Sequence, residues 1–272
     1  MRIAQVLLIA VFFSACNSPE TETGPDNGRP LETETQIVDL SYPFDEDTVY
    51  WVTAETFEHE EVFVGQNPNG FFYSAYNYAG AEHGGTHIDS PIHFAEGKLT
   101  VDEVPLEKLI GDGFKIDVSK KTPEDRDYLV SVADIEEWEK ANGRIPDGAI
   151  LLLETGFGQF YPDKAKYLGT AERGEEAIKK LSFPGLAPEA AKWLVDNRKI
   201  NAIGIDTASI DRGRSETFDA HVTLMTNDIP AFENVANLDK LPAKGFRIIA
   251  LPMKIKGGSG GPLRIIAEIP KQ

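Results

Sequence analysis

A chain of 272 residues, 41% of them hydrophobic, is long enough to build one substantial core, and a single main domain is the expectation. Its 44 acidic against 27 basic residues give a formal charge of −17, which repels phosphate backbones and anionic lipid headgroups and argues against nucleic acid as a partner. Acidity of this size otherwise serves solubility and says nothing about fold.

Arg2 is followed by an apolar stretch over residues 3–13 and then by Ser14-Ala15-Cys16, which reads as a secretion signal. At ~1.5 Å per residue the apolar stretch spans about 16 Å, roughly half of a ~30 Å hydrocarbon core, so a membrane-spanning helix is disfavoured. Small residues ahead of the only cysteine resemble a bacterial lipoprotein cleavage site. The expectation is a signal peptide over residues 1–15 and a lipidated Cys16. That would place the protein in the bacterial cell envelope, on the periplasmic or outer-membrane side, touching the membrane through its lipid anchor only. Ordinary secretion and a buried apolar N-terminal helix are the alternatives. Residues 17–36 hold Ser, Pro, Glu, Thr, Gly, Asp and Asn with Leu31 among them, too little apolar surface to fold, so residues 16–36 read as an acidic tether.

The folded domain is expected over residues 37–272. Aromatic and β-branched residues mark strands at 37–40, 57–64 and 71–78, followed by others at 114–118 and 149–153. Between the last two, Ser131 and Asp134 form a capping box that opens a helix reaching about Asn142, where Gly143 closes it. A second helix covers residues 188–198, with Pro188 in its first turn and Ala191, Leu194 and Val195 at helical spacing. Strands are predicted again at 202–205, 246–251 and 263–269. Many strands with a few interspersed helices make an α/β domain with a mixed sheet.

The chemistry is concentrated in His83-Gly84-Gly85-Thr86-His87-Ile88-Asp89-Ser90-Pro91-Ile92-His93, which holds three of the chain's five histidines. A helix would place His83 and His87 on one face, but Gly84, Gly85 and Pro91 oppose a helix here. In an extended chain alternate side chains share a face, and His83, His87, Asp89 and His93 are all odd-numbered. Ideal neighbours on one face stand ~6.6 Å apart, too far for one ion, so the strand must bend, which the glycines permit. Imidazoles with a carboxylate suit Zn²⁺, Mn²⁺ or Fe²⁺ and leave positions open for water and substrate. The competing reading is that these histidines hydrogen-bond within a core or lie on a surface loop.

This run resembles the signature of the cyclase-like metal-dependent hydrolases, which include bacterial kynurenine formamidases and isatin hydrolases. The resemblance extends over residues 37–269, through Gly204-Ile205-Asp206-Thr207 and through His221 followed by Glu233 in Asp228-Ile229-Pro230-Ala231-Phe232-Glu233-Asn234. It implies a swivelling β/β/α fold assembled into a homo-oligomer, a dimer or tetramer. It implies His83, His87 and Asp89 as ligands of a first ion, with Asp89, His221 and Glu233 holding a second, the cofactor being one or two Zn²⁺ or Mn²⁺ ions. By the same resemblance His93 is the catalytic proton donor and acceptor, and Trp51 packs on a small-molecule substrate, ordinary core packing being the equal alternative for Trp51. The reaction implied is hydrolysis of a carbon–nitrogen bond in a small aromatic amide or formamide, or, as the alternative, of an isatin-type cyclic amide or lactone.

Departures from the family pattern bear on substrate. Glu154-Thr155-Gly156 stands where the formamidases generally carry Arg-Thr-Gly, and a glutamate near a site would weaken attraction for a carboxylate. A solvent-facing or paired Glu154 is the other reading, and the favoured one. Residues 156–182 are longer than a tight connection needs, and Phe157, Phe160, Tyr161 and Tyr167 are expected to line a pocket. The glycine-rich residues 257–261 read as a turn between late strands, one that in this family often lies close to the site. Asp206, Thr207, Ser209 and Asp211 read as turn caps in preference to supports for ligands. His59 reads as a surface or strand residue. Two other functions compete with the enzyme, a metal-dependent binding lipoprotein without turnover and a structural envelope lipoprotein. A retained His93 argues against the first, and the second leaves the motif without a purpose.

Overall fold

A computed structural model of the chain describes residues 34–271. The signal peptide over 1–15 and Cys16 lie outside the described residues, as does nearly all of the tether. The first strand, β1 (Thr35–Asp39), starts two residues ahead of the expected domain boundary and pairs along its whole length with the last strand. β2 (Glu58–Gln66) and β3 (Phe72–Ala79) form a hairpin of their own, and the very short β4 (His87–Asp89) follows. Next come α1 (Leu106–Leu109), β5 (Ile110–Asp117), β6 (Leu129–Val130), α2 (Val132–Asn142) and β7 (Ile150–Glu154). The chain continues through α3 (Lys164–Tyr167), α4 (Glu175–Ile178), β8 (Gly185–Leu186), α5 (Pro188–Asn197) and β9 (Ala202–Ile205). It finishes with α6 (Asp219–Thr226), β10 (Ala231–Glu233), β11 (Lys244–Pro252) and β12 (Gly260–Pro270).

Eight strands make one mixed sheet in the order β1-β12-β11-β5-β7-β9-β10-β4, and the start of β12 also pairs with β4. That last pairing closes the sheet into a barrel-like ring with β1 as an outer flap on β12. The strands β5, β7, β9 and β10 run parallel to one another, whereas β4, β11 and β12 join antiparallel.

Alternation along β7 shows why its run of aliphatic residues is buried throughout. Ile150 and Leu152 point into the ring with Ile88, Phe232, Phe246, Ile248 and Ile265. Leu151 and Leu153 point outward and are covered by α2, α5 and α6 through Ile135, Leu194 and Leu224. A strand buried on both faces reads as continuous hydrophobic text, and this one does. Among the described residues no helix is long and apolar enough to cross a membrane.

The hairpin β2–β3 is different in kind. Val62, Phe63, Phe71, Phe72, Tyr73, Tyr76 and Tyr78 are all exposed on it. His59 lies on β2, exposed, with its ring stacked 4.5 Å from that of Tyr76, as a strand residue outside the motif.

Candidate metal centre

The motif divides into three short pieces rather than one bent strand. Gly84 bridges to Tyr50, and a Cβ at Gly84 would run into the Tyr50 ring. Gly85 takes φ +55°, where a side chain would also press on Phe44 and Thr48. The glycines therefore make a turn that lets His83 fold back over the strand. Only His87, Ile88 and Asp89 are extended, and Pro91–His93 is a single 3₁₀ turn that returns His93 towards the same spot. Alternation thus accounts for His87 and Asp89. His83 and His93 reach the centre through turns, so for them the expected shared strand face is replaced by a loop on either side.

Register supplies the distal half. β10 lies antiparallel to β4 with Glu233 opposite His87, so their side chains emerge on the same face as direct neighbours. His221 projects from α6, which the sequence reading did not anticipate.

The donor atoms lie close together. His221 Nε2 is 3.0 Å from Asp89 Oδ2 and 3.1 Å from Glu233 Oε1. His87 Nε2 is 3.2 Å from Asp89 Oδ1 and 3.6 Å from Glu233 Oε2, and His83 Nδ1 is 2.6 Å from Asp89 Oδ1. Donors bound at ~2.0–2.2 Å around one divalent ion stand roughly 2.9–3.5 Å from each other, and three of these separations fall in that window, whereas His83 sits at hydrogen-bond distance from Asp89 and His87 slightly farther from Glu233. His87, Asp89, His221 and Glu233 are each at most 4% exposed. Two carboxylates so deeply buried call for compensating positive charge, and the donor chemistry fits Zn²⁺ or Mn²⁺. His93 stands at the edge of the set, its ring stacked on His83 with centroids 3.8 Å apart and planes inclined by 18°, and a donor atom of it lies within 4.8 Å of those of His83 and Asp89.

Electrostatics follow from the crowding. Burial opposes ionisation of Asp89, yet His83, His221 and His87 around it hold its carboxyl well below the usual range. Glu233 is pushed up by burial and by the charge on Asp89. His87 and His221 are raised, burial being outweighed by the carboxylates they face, so that protons do the neutralising an ion would do. Burial and the positive charge on the neighbouring imidazoles push His93 down to about 4, against the pull of Asp89, leaving the ring neutral at pH 7.

Outer partners orient the donors. Asp211 Oδ2 accepts from His221 Nδ1 at 2.7 Å and from the His221 amide at 3.0 Å, turning Nε2 towards Asp89 and Glu233. Asp211 is therefore a support for a donor, where the sequence favoured a turn cap. Asp206 does cap, accepting from Thr155 N and Oγ1 and from Gly156 N, and Thr207 and Ser209 bond within their own turn. Of the glycine-rich residues 257–261, the first three lead into β12 and the last two open it, and Ser259 Oγ stands 2.8 Å from His83 Nε2 while donating to Glu82.

Over the donors lies a cavity of about 320 Å³ walled by Val49, Tyr50, Trp51, Phe94, Ala208 and Phe218, with His93 at its side. Trp51, the expected substrate-packing residue, meets Phe218 edge to face with centroids 6.1 Å apart. Among the described residues, the lining carries no lysine or arginine. Phe157 and Tyr167 do not line it. They are buried with Leu168, Leu181 and Phe183 in a small core, with Phe160 and Tyr161 packed against them, because the long segment folds into short helices of its own. Glu154 does not reach the cavity either. It is buried and paired with Lys115, Nζ 2.5 Å from Oε2, in line with the favoured reading of a glutamate that faces no substrate.

Similarity to known proteins agrees with this geometry. The Cyclase family model, described as "Putative cyclase", matches residues 38–212. The isatin hydrolase of Roseibium aggregatum is 34% identical over 198 residues, 70% of this chain and 73% of its own length. The kynurenine formamidase of Erythrobacter litoralis is 28% identical over 189 residues, 69% of this chain and 74% of its own. Among solved structures, isatin hydrolase A from Labrenzia aggregata bound to benzyl benzoate superposes with a TM-score of 0.79 at 32% identity, covering 87% of this chain and 94% of that one. Fold and centre together define a metal-dependent hydrolase. The chain belongs to the cyclase family. The family match ends at residue 212, short of His221 and Glu233, so the case for those two is geometric.

Proposed function

We propose that this hydrolase cleaves the carbon–nitrogen bond of a small aromatic amide, formamide or cyclic amide, using one or two Zn²⁺ or Mn²⁺ ions held by His83, His87, Asp89, His221 and Glu233. The observation that carries the reading is the buried imidazole–carboxylate set beneath an aromatic-walled cavity. When bound, such an ion would supply Lewis acidity and draw the pKa of its water down towards about 7. Asp89 turns one oxygen towards His87 and the other towards His221, which supports its joining the two halves of the donor set. His93, at the side of the cavity and stacked on His83, would take a proton from the nucleophile and pass it to the departing nitrogen. Trp51, Phe94 and Phe218 hold a flat ring over the centre by face and edge contacts.

Within this reading an isatin-type cyclic amide is favoured over a formylated amino acid. Among the described residues the lining offers no lysine or arginine to pair with a substrate carboxylate. Purified protein with added Zn²⁺ or Mn²⁺ is expected to open isatin with a higher kcat/KM than it deformylates N-formylkynurenine. The reverse ranking would overturn that preference. His93→Ala with full metal content is expected to lose about 10²–10⁴-fold in kcat. Protein purified without chelator that holds no metal and gains nothing on adding either ion would end the enzyme reading.

We also propose a lipid anchor at Cys16, supported by Ser14-Ala15-Cys16 behind the apolar stretch, with the enzyme held in a bacterial cell envelope. Metabolic labelling with an alkynyl fatty acid should mark the wild type and not Cys16→Ala. A homo-oligomer, a dimer or tetramer, is supported by the exposed aromatic faces of β2 and β3, since a two-stranded hairpin is marginal without a covering surface. Light scattering on the purified chain tests it, and a monomer at micromolar concentration would refute it.

A further inference from the structure

The Gly85 carbonyl sits where the two halves of the centre meet. It faces His87 Nδ1 at 2.9 Å, and because a carbonyl can only accept, Nδ1 carries a proton and Nε2 is the atom turned to Asp89 and Glu233, free to bind an ion once its own proton is lost. A second donor meets the same oxygen. Asn234 Nδ2 lies 2.7 Å from it, and again only an N–H can sit there, which fixes the orientation of the amide. The amide oxygen, on the other side, accepts from Tyr167 Oη at 2.9 Å.

Asn234 directly follows Glu233 in the chain and is held on all sides. Its amide donates to Thr207 O at 2.8 Å, its carbonyl accepts from Thr86 Oγ1 at 2.8 Å, and its backbone is left-handed with φ +51°. Asn234, Thr86 and Tyr167 are each at most 1% exposed. Every polar group of this buried asparagine therefore has a partner, and the partners lie on both sides of the β4–β10 seam. A left-handed position by itself asks only for glycine or asparagine. The amide contacts are more than that conformation requires.

We propose that Asn234 is a positioning residue of the metal centre. Its amide pins the Gly85 carbonyl, and through it the ring of His87, to the stretch of backbone that carries Glu233. One side chain thereby sets the spacing between two donors from distant parts of the sequence. Tyr167, whose single Oη proton is shared between Asn234 Oδ1 and Asp206 O, each 2.9 Å away, keeps the amide from rotating. The proposal rests on the reading that His87 and Glu233 hold an ion, and the test keeps the two apart.

Three variants of the full chain separate positioning from a structural role. Asn234→Gly keeps the left-handed backbone and removes the pin. Asn234→Asp keeps the shape and turns an acceptor on the Gly85 carbonyl. Tyr167→Phe leaves the asparagine and frees its amide. The measurements are the Zn²⁺ dissociation constant by chelator competition, the visible spectrum of the Co²⁺-loaded protein, and the melting temperature of the metal-free protein. The glycine and aspartate variants are expected to weaken Zn²⁺ by about 10–100-fold and to alter the Co²⁺ bands, with a smaller loss for Tyr167→Phe. Glycine and phenylalanine variants that melt like the metal-free wild type and bind Zn²⁺ as tightly as it does would overturn the proposal, whether or not the aspartate variant folds. A wild type that takes up no Zn²⁺ or Co²⁺ would remove the reading beneath it, and the proposal with it.

Discussion

Asp211 and Phe218 show what single residues contribute around the donors. Asp211 holds His221 by ring and backbone together, so Asp211→Asn should weaken metal binding by about 10-fold or more while the metal-free protein stays folded, read by chelator competition beside a thermal melt. Phe218 lines the cavity with φ +50°, a left-handed conformation that costs a bulky side chain roughly 1–2 kcal/mol. Phe218→Gly removes both the wall and the strain. The expected outcome is a raised KM for an aromatic amide with a melting temperature no lower than wild type, and a KM left unchanged would take Phe218 out of substrate binding. At this scale the sequence made His87 and Asp89 legible by alternation alone. It could not separate Asp211 from its polar neighbours, because a carboxylate that supports a histidine ten residues away looks in sequence like any turn cap.

Helix α2 was legible from end to end, since its signals are local. Ser131 Oγ accepts from Asp134 N, Asp134 Oδ2 accepts from Ser131 N at 2.7 Å, and Gly143 ends the helix with φ +92°. Ser131→Ala should cost about 1 kcal/mol by chemical denaturation. Burial disfavours the ionised Asp134, but hydrogen bonds from Lys121, Ser131 and Tyr128 outweigh it and hold the carboxyl below its usual 3.8. A lowered folded-state value means the carboxylate stabilises fully above the usual value and progressively less as pH falls through the lowered one. The stability gap between wild type and Asp134→Asn should therefore be widest near neutral pH and shrink below about pH 4. By contrast, β4 and β10 are three residues each, too short for periodicity, and become strands only by pairing with each other. α6 begins at Phe218 with no side-chain cap, so nothing in its sequence announced it.

For the molecule as a whole, the mixed α/β class was legible from the alternation of strand and helix text, whereas ring closure was not, since which strands meet depends on pairings far apart in sequence. The proposed ligands come from β4, α6 and β10 and the turns beside them, so an ion would bind the closed ring and not the unfolded chain. Stripping it with chelator should lower the melting temperature, and restoring it at about 100 times the dissociation constant should return roughly 2.7 kcal/mol. A melt indifferent to chelator would show that the ring closes without an ion.

The strand that carries Asp89 is also the seam of that ring, with Ala231 against one edge of Asp89 and Gly260 against the other. During synthesis, 132 residues separate Asp89 from His221, and the strand that seals the opposite edge of Asp89 emerges later still. The seam is therefore completed last, by the final strand of the chain, and until β12 docks the carboxylate of Asp89 sits on a strand with one open edge.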